Sequence, residues 1–280
     1  MPQERWQKGK ESLEVNVMEI RLLEQDKEKL SFLLKGATAA YVNALRRYIM
    51  EEVPVMAIET VEFRKNNSIL YDEMIAHRLG LIPLTTDLKS YNLPEKCKCE
   101  GKGCARCQLS MTLKTKESGI VYASEIKSKD SAIKPTHPKM PIVKLLKGQS
   151  LEFEATAQLG KGKTHAKWSP GLIYYKKRCT LEINNSKISD KQMCVDMVPK
   201  GILVLENGQV AVVKEHVLDV DLCDAAAEAF PEGIIITPTD DFILYMESWG
   251  QIDCKKIMLE AINEFNEQLG EFQEKVKALK

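Results

Sequence analysis

The sequence predicts an α+β protein, and three stretches carry that prediction. Leu151, Phe153, Ala155, Ala157 and Leu159 alternate with Glu152, Glu154, Thr156 and Gln158, the period of two that marks a half-buried strand. Met258, Ala261 or Ile262, Phe265, Leu269, Phe272, Val276 and Leu279 step by three and four, the stripe of a long helix. Strand-like runs at 15–23 and 30–34 flank the polar turn Gln25-Asp26-Lys27-Glu28. At 280 residues the chain has room for about two domains.

Taken in order, residues 1–13 read as a flexible lead-in, with Met18 a candidate alternative start. After the two strands, Thr38 is placed to cap a helix over 39–52 that stops before Pro54. Val42, Leu45 and Ile49 recur on one face of it. Val61 and Phe63 alternate toward the turn Asn66-Asn67-Ser68. Asp72 is expected to cap a short helix over 73–79, with Gly80 closing it in the left-handed position. The strand at 151–159 runs into the turn Gly160-Lys161-Gly162-Lys163. The stripe on the final helix suits a partner helix and the chain's own core equally well, because both want the same spacing. Glu267, Glu271, Lys275 and Lys277 fall off that stripe.

Composition narrows the function classes. Apolar residues make up 44% of the chain, enough for a sizeable core. The 40 basic residues balance 40 acidic ones, whereas a chain gripping nucleic acid over a wide face needs a basic excess. Primary DNA binding is therefore not expected. No run approaches the roughly 18 apolar residues of a membrane span. The N-terminal MPQERWQKGKESLEV lacks the apolar stretch of a secretory signal. A cytoplasmic chain is the expectation. In a reducing compartment its eight cysteines are metal ligands or buried thiols rather than disulfides.

Four of them lie in KCKCEGKGCARCQ. Cys97, Cys99, Cys104 and Cys107 have the spacing C-x-C-x4-C-x2-C, which lets four thiolates surround one tetrahedral zinc ion. Gly101 and Gly103 let the backbone reverse between the ligand pairs. Lys96, Lys98, Lys102 and Arg106 offset the negative charge of four thiolates. A filled shell leaves no position for water or substrate, so the expected role is structural. The alternative reading is four unrelated loop thiols. No Ser/His/Asp or Cys/His set, phosphate-cradling glycine loop or magnesium-binding carboxylate cluster is visible, so no catalytic residue is assigned.

The segment Asn43-Ala44-Leu45-Arg46-Arg47, taken with the run from Asp72 to Leu84 (DEMIAHRLGLIPL), resembles the shared core of the D-type subunits of archaeal RNA polymerase. It also resembles the third-largest subunit of eukaryotic RNA polymerase II and, more remotely, the bacterial alpha subunit. Gly148-Gln149, the turn from Gly160 to Lys167 and the stretch from Phe242 to Gly250 extend the likeness over nearly all of the chain from Met18. The run Ile69-Leu70-Tyr71 is longer than the usual signature. The resemblance implies a discontinuous alpha-type dimerisation domain (14–57, 165–172 and 238–280), with an inserted, mostly β domain (58–164) that carries the zinc loop (97–107).

The implied function is a non-catalytic assembly scaffold of DNA-dependent RNA polymerase, a nucleotidyltransferase complex. Its implied partners are subunit L, as a heterodimer that nucleates assembly, the second-largest subunit, and subunits N and P. The active-site aspartates and Mg²⁺ would belong to the largest subunit. With L as partner, Met258, Ile262, Phe265, Leu269, Phe272 and Val276 become an intersubunit seam. Asn43, Arg46, Arg47, His77 and Arg78 become candidate interface residues. Adjacent helix positions point about 100° apart, so Arg46 and Arg47 cannot share one core. At least one guanidinium is expected to reach a carboxylate or carbonyl of the second-largest subunit. A solvated basic pair is the alternative. His77 reads as a structural hydrogen-bonder, since no nucleophile lies near it.

The stretch 173–237 resembles a two-cluster bacterial ferredoxin, whose ligand run is C-x2-C-x2-C-x3-C-P. Counting back from Pro199, the ligand positions hold Val198, Cys194, Lys191 and Ile188. Counting back from Pro231, they hold Phe230, Ala226, Cys223 and Val220. Each half keeps one thiol, so Cys194 and Cys223 are remnants and no iron–sulfur cluster is expected. Val198, Phe230, Ala226 and Val220 are expected to fill that space with hydrocarbon. Cys179 and Cys254 fall outside the ligand pattern. Rival functions are an independent redox protein, which lacks ligands, and a zinc-dependent nucleic-acid module, which lacks basic excess.

Overall fold

The computed structural model describes residues 18–213 and 220–279, with the side chains of Val220 and Leu222 left aside. The lead-in and residues 15–17 of the first predicted strand lie outside that range. The first strands are β1 (Glu19–Gln25) and β2 (Lys29–Lys35). Between them Asp26 N–H closes a turn on the Lys29 carbonyl at 2.7 Å. Helix α1 (Ala39–Glu51) starts where Thr38 Oγ1 accepts from the Tyr41 N–H, and it buries Val42 and Ile49.

Strand β3 (Pro54–Asn66) begins directly at the proline that stops α1. Helix α2 (Asp72–Gly80) follows. Two details of α2 differ from expectation. Asp72 lies inside the first turn rather than capping it, because Tyr71 takes the extended cap position. The Asp72 carboxylate instead accepts from Asn66 Nδ2 at 2.7 Å, tying the helix start to the preceding turn. Gly80 is the last helical residue and not a left-handed terminator, because the chain leaves through Leu81 in ordinary helical geometry.

Strands β4 (Gln108–Thr115), β5 (Gly119–Tyr122), β6 (Lys127–Ser128) and β7 (Pro141–Leu145) lead to β8 (Leu151–Lys161). The alternation in β8 is realised residue by residue, with Leu151, Phe153, Ala155, Ala157 and Leu159 all buried. β8 pairs antiparallel with β3 (Ile58 opposite Ala157) and with β4 (Leu113 opposite Phe153), giving a sheet of order β3-β8-β4-β6. Met56, Ile58, Met111, Leu113 and Phe153 from this sheet share one apolar core with Ile75 and Leu79 of α2. Removing such side chains from water contributes about 1.5–3 kcal/mol each.

The remaining elements are β9 (Gly171–Ile183), α3 (Lys191–Asp196), β10 (Leu203–Glu206), β11 (Gln209–Val212), α4 (Val220–Ala229), β12 (Ile234–Ser248) and α5 (Cys254–Lys277). Strands β1, β2, β12 and β9 form a sheet in that order, and β10 pairs with β11 as a hairpin. The described residues divide into two compact units. One comprises 18–23, 32–42 and 175–244; the other comprises 24–31, 43–174 and 245–279.

Within the second unit the glycine-rich turn after β8 is shaped by close approach. A Cβ on Gly162 would collide with the Met50 carbonyl oxygen, and one on Gly160 with the Trp168 ring. That approach lets Lys163 N–H donate to the Glu51 carbonyl at 3.0 Å. It also sets Lys161 Nζ between two carboxylates, 3.1 Å from Glu52 and 2.6 Å from Glu264 of α5. All three side chains are at most 17% exposed. Burial draws the Lys161 pKa down, but the pull of Glu264 and Glu52 prevails and leaves it above the usual lysine range.

Candidate metal centre and exposed surfaces

The loop 97–107 brings its four cysteines together by local backbone geometry. Glu100, Gly101 and Gly103 all take positive φ, at 54°, 76° and 90°, and reverse the chain between the two ligand pairs. Glu100 N–H donates to the Cys97 carbonyl at 2.9 Å, and Cys107 N–H to the Cys104 carbonyl at 3.0 Å, so each pair is held in a tight turn. The sulfurs of Cys97 and Cys104 are 3.6 Å apart, Cys97 and Cys99 3.5 Å, Cys99 and Cys107 3.5 Å, Cys104 and Cys107 3.8 Å. A tetrahedron with metal–sulfur bonds of about 2.3 Å has edges of about 3.8 Å, so the donor set fits a single ion.

Cys104 N–H also points at the Cys107 sulfur at 3.3 Å, a hydrogen bond that favours thiolate. Hydrogen bonding with Cys107 holds Cys99 down to about 7, while burial pushes Cys107 up to about 12. Among the described residues these four cysteines are the one group of three or more donors gathered closely enough to hold a metal ion.

Cys194 and Cys223 meet a different fate. Both are fully buried, in an apolar core with Ile188, Val198, Ala226, Phe230, Leu203, Val210 and Ile234. The side chain of Val220 is not among those described. Lys191, at another ligand position, spans to the Gly208 carbonyl with Nζ at 2.7 Å. Asp190 opens α3 by accepting from the Met193 N–H. Cys179, outside the ligand spacing, belongs to the same core. Nothing in the local sequence signals this, because β9 brings Cys179 there from a distance along the chain. Burial pushes the Cys194 thiol above its ordinary pKa.

The helix residues singled out from sequence are placed as follows. Arg46 Nε donates to Asn43 Oδ1 at 3.1 Å, and Arg46 also reaches the Met50 sulfur. Arg47 makes a two-pronged pair with Glu51, at 3.2 and 3.1 Å, and that hydrogen bonding lowers the Glu51 pKa. Both guanidiniums therefore have partners within their own helix, and the Arg47–Glu51 spacing of four is visible in the sequence. His77 is exposed, and Arg78 donates to the Pro141 carbonyl at 2.8 Å. Ile69, Tyr71, Met74 and Leu81 add exposed apolar surface on and beside α2 that sequence patterns do not single out.

Helix α5 carries two stripes. Cys254, Ile257, Ala261 and Glu264 are buried. Gln268 continues that face by accepting from Tyr48 Oη at 2.8 Å. The predicted seam is a separate stripe. Met258 and Phe265 are half-buried, with Phe265 edge-on to Tyr48 at 4.7 Å. Ile262, Leu269, Phe272, Val276 and Leu279 stay exposed, Leu269 at 49% and Phe272 at 65%. Among the described residues no helix is long and apolar enough to cross a membrane.

Comparison with known proteins places this arrangement. Residues 58–194 match the family described as the RNA polymerase Rpb3/RpoA insert domain. The chain is 38% identical over 229 residues to the DNA-directed RNA polymerase subunit Rpo3 of Methanosphaera stadtmanae, covering 78% of this chain and 83% of that one. It is 36% identical over 259 residues to the Methanothermobacter thermautotrophicus subunit, covering 87% and 93%. With the Pyrococcus furiosus subunit it shares 35% over 244 residues, covering 86% and 90%.

Proposed function

The chain belongs to the archaeal Rpo3 family, the D-type subunits of DNA-directed RNA polymerase, and from that premise we propose that it is a non-catalytic assembly scaffold. It pairs with the small subunit L through α5, and the heterodimer then gathers the second-largest subunit and subunits N and P. The observation that carries this reading is the second stripe of α5. A helix that already buries Cys254, Ile257, Ala261 and Glu264 has met the needs of its own fold. It nevertheless spaces Ile262, Leu269, Phe272 and Val276 along the adjoining flank and leaves them in water. Apolar residues at steps of three and four suit a facing helix, where knobs enter holes.

Asn43, Arg46 and Arg47 on α1, with His77 and Arg78 on α2, form the companion surface toward the larger subunits. Because the arginine forks are engaged locally, they act by holding α1 and α2 in shape and by offering their outer N–H groups. The four-cysteine loop holds one structural zinc, which would fix the loop by coordinating all four sulfurs. The region 173–237 is a ferredoxin-like fold packed with hydrocarbon in place of clusters.

The test is co-expression with subunit L followed by sizing chromatography. The wild-type chain should elute as a one-to-one complex. Leu269→Glu combined with Phe272→Glu should abolish the complex while leaving the thermal melt of the lone chain unchanged, since both side chains are exposed. Undiminished pairing by the double variant would sink the proposal.

A further inference from the structure

Helix α5 leaves its own core within one turn, and polar contacts from three separate segments meet it there. Glu264 is the last buried residue of the helix. Phe265 and Gln268 are half-buried, and every residue from Leu269 to Leu279 is exposed. Lys161 Nζ, at the end of β8, lies 2.6 Å from Glu264 while keeping Glu52 at 3.1 Å. Tyr48 Oη, on α1, donates to Gln268 at 2.8 Å, and the Tyr48 ring meets Phe265 edge-on. Lys96 Nζ, in the short turn Pro94–Lys96, reaches both carboxylate oxygens of Glu267 at 3.1 and 3.0 Å. All of these residues belong to the second unit. Gly270, just beyond, has nothing within 4 Å of where a Cβ would stand, so no packing takes over there.

The contacts are arranged to brace the helix and still leave one side of it clear. At about 100° per residue, Glu267, Glu264 and Gln268 span an arc of about 100° on α5, and Phe265 extends it by about 60°. That arc stops short of Ile262 and Leu269, which remain open. Each tie alone is weak, the exposed Lys96–Glu267 pair above all. One tie is a pivot, whereas three at different azimuths oppose a swing in any direction. The lever arm makes this matter. Val276 lies about 18 Å along the helix from Glu264, so a swing of about 20° there carries it about 6 Å, more than one helical turn. Knobs displaced that far miss their holes.

We propose that Tyr48, Lys96 and Lys161 are positioning residues for partner binding, which aim the exposed end of α5 so that its apolar stripe stands ready for the facing helix of subunit L. They act through Gln268, Glu267 and Glu264, on the side of α5 turned away from Ile262 and Leu269. A helix whose direction is already fixed has less freedom to lose when the partner docks. The inference rests on the scaffold reading and deepens it, by naming what holds the seam in place.

The test joins a distance measurement on the full chain to its affinity for L. Nitroxide amino acids are encoded in place of Lys116 and Lys277, both exposed, and read by pulsed electron resonance. Wild type should give one narrow distance distribution. Tyr48→Phe with Glu267→Ala removes two ties and leaves the buried Lys161–Glu264 pair as a pivot. This double variant should broaden the distribution by about 6 Å, the reach of the swing at the tip. Its melting temperature should move by no more than a few degrees, because the buried pair is intact. Its affinity for L should fall about tenfold, the cost of fixing the helix anew on binding. On the Tyr48→Phe background, exchanging the charges by Lys96→Glu with Glu267→Lys should restore both width and affinity to those of Tyr48→Phe alone. An unchanged width in the double variant would overturn the proposal, as would a broadened distribution with undiminished affinity. A wild-type chain that is narrowly distributed yet ignores L would instead strike the scaffold reading.

Discussion

Cys97, Cys99, Cys104 and Cys107 share a residue type with Cys194 and Cys223, but the two groups live in opposite environments. In the loop, three positive-φ residues fold the backbone so that four sulfurs converge within 3.8 Å of their neighbours. In the other region Cys194 and Cys223 sit among the buried side chains of Val198, Ala226 and Phe230. Backbone reversal concentrates donors, whereas hydrocarbon neighbours disperse them. The difference teaches that a cysteine's chemistry is set by the residues between the sulfurs as much as by the sulfurs.

The largest expected effect breaks the loop side of this comparison. Cys104→Ser should lower bound zinc to well below one per chain, read by elemental analysis. Structural zinc contributes on the order of 10 kcal/mol or more to small metal-dependent folds, so the loop should also lose protease resistance. Acid should act in the same direction. Metal binding requires thiolates, and Cys107 without metal stays protonated up to about 12, so zinc must displace protons and is released as pH falls. A variant that kept full zinc would show that the four thiols are not its ligands.

Next in size is the apolar side. Phe230→Ala should destabilise the region by about 3–5 kcal/mol, the usual cost of emptying a buried aromatic position, measured by denaturant unfolding. A cost under about 1 kcal/mol would mean that hydrocarbon packing does not hold this region together. The smallest effect sharpens the contrast. Cys194→Ala should cost about 1 kcal/mol, as for a small buried apolar group, and leave zinc content unchanged. Anaerobically purified wild-type protein should show no sulfide-to-iron absorption band, and stoichiometric iron with that band would refute the cluster-free reading.

How much of this is legible in sequence depends on the distance over which each signal acts. The four-cysteine loop is readable because its sulfurs and turn residues are neighbours in the chain. Strand β8 and the exposed stripe of α5 are readable because their periods are local, whereas the buried face through Cys254, Ile257 and Glu264 is not singled out by the sequence. The start of β3 is not, because Pro54 to Ile58 are buried consecutively and show no period of two. The strands between 108 and 145 escape as well, several of them short and lacking a long alternation. Gly80 follows a sound rule that the real helix exit through Leu81 overrides. The partners of Arg46 and Arg47 are within reach of the helical spacing rule, yet the expectation looks outward to another polypeptide. Cys179 in its core and the Tyr48–Gln268 bond depend on tertiary packing, which no window of sequence contains.

The Lys161–Glu52–Glu264 arrangement has a consequence for how this chain changes over time. Losing the lysine strands two acids, and losing either acid unbalances the remainder, each at about 3–5 kcal/mol when a buried partner is removed. A lineage can escape only by replacing the members together, for example with hydrocarbon of similar bulk. Drift at these three sites is therefore expected to proceed in concerted jumps separated by long stasis, while exposed charges nearby wander one at a time.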